Sequence, residues 1–315
     1  MHRSVPVAAI VAAAMLFGTA GTALELGPDA AEPLSVGAVR IAVGTIVLWI
    51  AAGVRTSVSI AALRPHLTVI ALGGAGVAAY TPLFLGAVER AGVAVSTIIA
   101  ISTGPFATAT LEWGWRHRRP SLGWLLGTAL TVVGSAVLVS TVSADDKQID
   151  ALGVTLAVVA GLGYGVYSVT TKVTIERGVD VAVALAAPFT IGAVVLVVAA
   201  FVGSSWSWLG GWDGIALAAY LGVFATGVAY LLFGFGLAHL TAATTVTLVL
   251  AEPVTAALLA ELVLDETIPI LGWLGIVTVV AGLVVVGRTE QPRTTADVAG
   301  TTPVQHTGPS SSSAD

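Results

Sequence analysis

Ten apolar stretches, each close to the roughly 20 residues that a helix needs to cross a bilayer, follow one another along this chain. They lie at about 5–24, 36–54, 67–88, 92–113, 121–142, 151–174, 182–202, 213–237, 241–264 and 269–287. Polar or turn-forming segments separate most of them, among them ELGPDAAEP (25–33), RHRRPS (116–121) and SADDKQID (143–150). Two separations are faint, ERAG (89–92) and AHLT (238–241). The pattern predicts an all-α integral membrane protein with ten transmembrane helices.

Composition agrees. Of 315 residues, 56% are hydrophobic and 10% charged, with mean hydropathy +0.96, whereas soluble domains carry about 25% charged residues. The 36 glycines suit close helix packing in lipid. With no cysteine, disulfides, zinc–thiolate sites and iron–sulfur clusters are excluded. Net charge is −5 and no basic stripe marks a nucleic-acid partner; the expected partners are the bilayer and a small-molecule substrate.

Positive charge in short loops orients a membrane chain. With the N-terminus in the cytoplasm, Arg3, Arg55, Arg64, Arg116, Arg118, Arg119, Lys172, Arg177, Arg288 and Arg293 fall inside, and Arg90 and Lys147 outside. This predicts a multi-pass cell-membrane protein with both termini cytoplasmic. Trp206, Trp208 and Trp212 cluster in one outer loop, and Trp113 and Trp115 sit at an inner boundary, where aromatic belts belong. MHR followed by an apolar run also reads as a cleaved signal peptide, but the run is longer than a signal's apolar core. The Pro-, Ser- and Thr-rich end (288–315) is expected to be a disordered cytoplasmic tail.

The chain also repeats itself. At a shift of 148, STIIAISTGPFATATLEW (96–113) lies on TTVTLVLAEPVTAALLAE (244–261), pairing Thr97 with Thr245 and Pro105 with Pro253. The same register pairs Gly127 with Gly275 and Gly134 with Gly282, while LFGTA (16–20) fits GYGVY (163–167) at a shift of 147. Residues 1–142 and 151–287 then form two five-helix repeats joined by an external linker at 143–150. Five is odd, so the repeats are inverted, and transporters with that architecture place their site where the repeats meet.

The run YLLFGFGLAHLTAATTVTLVLAEPVTAALLAELVLDETIPILGWLGIVTVVAGLVVVG (230–287) resembles EamA-type members of the drug/metabolite transporter superfamily. The likeness rests on the LAEP proline step, the LDE about a dozen residues later and the following Gly275–Gly282 helix; PLSVGAVRIAVG (33–44), with Arg40, resembles the family's second helix. It covers about 5–287. In the first half HRR (117–119) replaces an expected acid, whose second-half counterpart is Glu266. The resemblance implies secondary transport of amino acids, nucleobase-like metabolites or drugs, usually outward.

Ionisable groups inside a span are costly, about 2.5–3.5 kcal/mol for a central Asp, Arg or Lys. They generally face the bundle interior. Glu252 is the deepest. Thr241, Thr245 and Glu252 share one side of a helix, and Pro253 frees a backbone carbonyl beside them. The group is a substrate-binding or proton-coupling site, or else a structural glutamate at a kink. Thr97 belongs with the corresponding step at Pro105; Pro82 is a third helix-break candidate, with Tyr80 two residues before it. Tyr80, Tyr164, Tyr167 and Tyr230 are candidates for a cavity wall or for plain packing. Arg40 binds a substrate carboxylate, pairs with Glu252 or reaches for the outer surface. Glu112, four residues before Arg116, has ordinary ion-pair spacing, and Glu261 is expected near the interface.

No HExxH, GxSxG or Walker A motif occurs, so neither an enzyme nor an ATP-driven pump is supported. No cofactor or metal is expected. The reading is a secondary transporter exporting a small metabolite, an amino acid or related compound, by alternating access, with proton exchange as one coupling. The alternatives are a passive facilitator or channel and, behind it, an intramembrane enzyme.

Overall fold

The computed structural model describes residues 4–55, 63–117, 119–142 and 150–289. They hold ten helices long and apolar enough to cross a bilayer: α1 (Ser4–Glu25), α2 (Pro33–Arg55), α3 (Leu67–Ala91), α4 (Val93–Arg116), α5 (Leu122–Val142), α6 (Ala151–Glu176), α7 (Val181–Gly203), α8 (Trp212–His239), α9 (Ala242–Val263) and α10 (Ile270–Thr289). Most of the expected linker (143–149) and the tail beyond Thr289 lie outside the described residues. Both faint hairpins exist. Gly92 turns α3 into α4 at φ 79°, a backbone conformation that glycine adopts without Cβ strain. Leu240 and Thr241 turn α8 into α9.

The helices pair as an inverted repeat demands. α3 packs on α6 as α8 packs on α1; α4 packs on α6 as α9 packs on α1; α2 meets α8 as α7 meets α3. Helices α2 and α7, α4 and α9, and α5 and α10 each meet their own counterpart. The match reaches single residues. A Cβ on Gly18 would lie 2.7 Å from Thr255 Cβ and 3.1 Å from Ala256 N; on Gly165 it would lie 2.9 Å from Ala107 Cβ and 3.2 Å from Thr108 N. Those are the residues that the sequence register equates. In α5 and α10, Gly127 lies against the Gly282 carbonyl and Gly134 against that of Gly275. Such small-residue seams let backbones touch where lipid supplies no hydrophobic drive.

Connections at the end expected outside are pinned by polar contacts. Arg90 meets Asp150 at 3.2 Å, and Asp150 also caps α6 by accepting from Leu152 N–H. That N–H and the guanidinium hold the Asp150 carboxyl below its usual range. Its folded pKa being depressed, its contribution is present above the unfolded value near 3.9 and lost as pH falls through the folded one. Protection of the amides at the start of α6, taken relative to the intrinsic exchange rate at each pH, is therefore expected to fall only below about pH 4. Trp208, 2% exposed, donates from Nε1 to Ser35 Oγ at 2.9 Å, tying the α7–α8 loop to α2. Trp208→Phe is expected to lower the thermal unfolding midpoint, the lost bond alone costing about 1 kcal/mol.

Two features differ from the sequence expectation. The helix-break reading of Pro82 and Pro105 is corrected: α3 and α4 run unbroken through them. A proline removes one backbone bond and kinks a helix, but packed neighbours can carry the helix through. Among the described residues only α9 divides, into α9a (Ala242–Val249) and α9b (Glu252–Val263). The second feature was not expected at all. Within α8, Tyr220–Val228 is π-helical. Widened turns of this kind are rare and concentrate at functional sites; here Gly222 and Gly227 face Val43 and Val47 of α2.

Candidate functional site

Glu252 opens α9b, midway along the ninth span. Because Pro253 has no N–H, the chain tightens into shorter bonds just before it: Leu250 N–H to Thr247 O at 3.0 Å and Ala251 N–H to Leu248 O at 3.2 Å. The break thus leaves a carboxylate in the first turn of a half-helix, where the positive end of the helix favours it. Gly18 of α1 lies against the Glu252 carbonyl, close enough that a Cβ there would sit 2.7 Å from the oxygen.

Arg40 lies about two turns into α2, half-buried. It is within electrostatic reach of Glu252, and both act on Tyr80 and Tyr230; Glu252 also acts on Tyr164. No direct ion pair closes between Arg40 and Glu252 among the described residues. All five groups keep partial exposure, and α3, α6 and α9 carry theirs at mid-span.

Aromatic rings pack around these groups. Tyr80 stacks on Phe84 at 5.8 Å and lies 6.2 Å from Tyr164. Tyr230 contacts Phe17 at 5.0 Å, Phe189 at 4.5 Å and Phe233 at 5.6 Å. Tyr167, fully buried, joins the two sets through Tyr164 at 6.4 Å and Tyr230 at 6.0 Å. The cluster draws on α1, α3, α6, α7 and α8, so both repeats contribute. Apolar faces with a few polar tips suit a small molecule.

The threonines stand elsewhere. Thr241 is the N-cap of α9, accepting from Thr244 N–H, and Thr245, 0% exposed, donates to the Thr241 carbonyl at 2.9 Å. Both hydroxyls take part in hydrogen bonds with the backbone of their own helix. Thr97 is half-buried in the second turn of α4, about two turns before Pro105. Of the candidates named from sequence, the structure brings together Glu252, Arg40 and Tyr80, with Pro253 making the break. Tyr164, Tyr167 and Tyr230 complete the group.

Two charged residues have partners that sequence reasoning missed. Glu112 accepts from Ala242 N–H at 3.2 Å and Ala243 N–H at 3.1 Å, capping α9 from α4; the Arg116 side chain lies outside the described residues. Lys172, counted from sequence with the loop charges, is 1% exposed and donates to the Leu237 and Ala238 carbonyls at the end of α8. Among the described residues, no cluster of His, Asp and Glu is arranged to hold a metal.

Comparison with known proteins decides the family. The model of the EamA-like transporter family matches twice, over residues 5–140 and 151–288. The chain belongs to the EamA-like transporter family. It is similar to the "Uncharacterized transporter YwfM" of Bacillus subtilis (strain 168), 33% identical over 296 residues spanning 92% of this chain and 96% of that protein. A solved crystal structure shares the fold, with a TM-score of 0.77 and 21% identity over 90% of this chain and 98% of the other. Membership makes this a multi-pass membrane transporter, and the family's duplicated unit coincides with the two inverted sets of five helices.

Proposed function

We propose that this transporter exports a small zwitterionic metabolite, an amino acid or related compound, by alternating access, with Glu252 taking part in proton or substrate exchange. The observation that carries the reading is the pairing of Arg40 and Glu252. They carry opposite charges, lie within electrostatic reach and are not joined directly, on an aromatic wall made by both repeats. A substrate carboxylate fits Arg40, whose planar guanidinium suits bidentate binding. An ammonium group fits Glu252, and an apolar side chain fits the rings of Tyr80, Tyr164 and Tyr230. Without substrate, a proton on Glu252 would offset the cost of a mid-span charge. That gives a route to exchange in which one site carries a proton one way and the substrate the other. The proposed orientation, with both termini cytoplasmic, rests on the bias of Arg and Lys between loops.

The test is untargeted metabolite profiling of the medium from cells producing the protein and from vector controls. Enrichment of one or a few zwitterionic compounds is the expected result. Enrichment of compounds lacking either charge would contradict the substrate assignment.

A further inference from the structure

Between two equivalent contacts, helix α8 holds one residue more than its counterpart α3. At the shift of 148, Val43 and Gly44 of α2 correspond to Ile191 and Gly192 of α7. A Cβ on Gly74 of α3 would meet Ile191, and one on Gly192 would meet Val77. Likewise a Cβ on Gly222 of α8 would meet Val43, and one on Gly44 would meet Thr226. The two contacts are three residues apart in α3, at Gly74 and Val77, but four apart in α8, at Gly222 and Thr226. The surplus residue falls inside the π-helical stretch Tyr220–Val228, at whose end Ala229 N–H reaches back five residues to Phe224 O. At the same place α3 is plain α-helix. The widened turns therefore absorb an insertion that one repeat has and the other lacks.

The absorption is incomplete at one atom. Threonines inside the helices of this chain donate to the carbonyl four residues back, as Thr45, Thr108, Thr131, Thr174 and Thr190 do. Thr226 is 0% exposed, and its Oγ1 has no partner among the described residues. In α geometry the Gly222 carbonyl would be its acceptor; in the widened turns that bond is not made. A buried hydroxyl left so is costly, and tightening the turns would relieve it. The ends of α8 are tied meanwhile. Tyr220 Oη donates to Thr19 Oγ1 at 2.8 Å, and Lys172 donates to the Leu237 and Ala238 carbonyls. Between the ties stand Tyr230 and Phe233 of the aromatic cluster.

We propose that Tyr220–Val228 is a swivel in α8 that works in the transport cycle. Its turns exchange π for α hydrogen bonds, Thr226 gains the Gly222 carbonyl, and Tyr230 turns relative to Arg40. One residue of an α-helix is about 100° of rotation, so a fraction of that changes what the Tyr230 ring presents to the Arg40–Glu252 site. The swivel rests on the transport reading for its use but not for its existence. Thr226 acts by positioning.

Hydrogen–deuterium exchange of the full chain in detergent, read by mass spectrometry against intrinsic rates, has a built-in reference in residues 72–80 of α3. Amides exchange while they change partners, so 220–228 is expected to exchange at least about tenfold faster than 72–80. Thr226→Val keeps the side chain's shape, relieves the observed form and denies the tightened one its bond. It is expected to slow exchange of 220–228 about fivefold or more, the worth of one hydrogen bond, and to raise the thermal unfolding midpoint. Thr226→Ser keeps the hydroxyl and is expected to exchange like the intact protein. Deletion of Phe224, 49% exposed, restores the spacing found in α3. That variant is expected to fold, to exchange at the rate of 72–80 and to lose the metabolite enrichment that the intact protein gives in the medium. Equal protection of 220–228 and 72–80 in the intact protein would overturn the swivel, as would equal rates in Thr226→Val and Thr226→Ser. Both comparisons decide the matter even if the deletion variant fails to fold. A folded deletion variant that exports normally would overturn the swivel's part in transport. Fast exchange at 220–228 with no export by the intact protein would instead contradict the transport reading and leave the swivel standing.

Discussion

Gly76→Leu is expected to prevent accumulation of the folded protein. Gly76 lies where α3 crosses α6, a broad interface between the repeats. A Cβ there would overlap the Gly163 carbonyl oxygen, 3.2 Å from its carbon and 3.4 Å from Tyr167 N. The obstacles are backbone atoms inside a helix, so no rotamer change relieves them. Overpacking costs about 1–3 kcal/mol where side chains can adjust, and more is expected where the backbone must shift. The displaced α6 also carries Tyr164 and Tyr167. Size-exclusion chromatography of detergent extracts, with thermal unfolding of whatever folds, measures the effect. Gly21→Leu is the control, since a Cβ at Gly21 meets nothing within 4 Å; it is expected to fold normally.

The second large effect is on transport. Glu252→Gln keeps the shape of the side chain and removes its charge, and Arg40→Gln does the reverse service at the other pole. Each loses a charge-assisted bond to substrate worth about 1.5–3 kcal/mol, or roughly ten- to hundredfold in transport efficiency. The two variants separate by substrate. Arg40→Gln is expected to spare an analogue whose carboxylate is amidated, and Glu252→Gln one whose amine is acetylated. Competition assays in vesicles, at matched membrane abundance, read both. Equal losses for all analogues in both variants would place the two residues in the fold rather than on the substrate. A proton exchanged at Glu252 further predicts that transport by the intact protein follows an imposed pH gradient and that Glu252→Gln does not.

The spans were legible because hydropathy over about 20 residues is a local average that needs no knowledge of partners. The repeat was legible for a related reason. Gly18 and Gly165, or Pro105 and Pro253, occupy equivalent positions whose packing admits few residue types, so the register survives between the halves. The turn at 238–241 was faint for a physical reason that only the structure supplies. The polar groups that hold it are Glu112 and Lys172, far away in the chain. Segments stabilised from elsewhere leave little mark on their own sequence. The same holds for the widened turns at Tyr220–Val228, where Gly222 and Gly227 against Val43 and Val47 are a tertiary match. Proline was misleading on its own. Pro82, Pro105 and Pro253 look alike in sequence, yet only the last coincides with a divided helix. Thr241 and Thr245 share a face with Glu252 by periodicity, but periodicity does not say that their hydroxyls are taken up by backbone groups of the same helix.

The most direct measurement compares the medium of cells producing the intact protein with that of cells producing Glu252→Gln at equal membrane abundance, by untargeted metabolite profiling. Export through the Arg40–Glu252 site predicts a zwitterionic compound enriched outside with the intact protein and reduced about tenfold or more by the substitution. Equal enrichment in both would contradict a role for Glu252 in carrying the substrate.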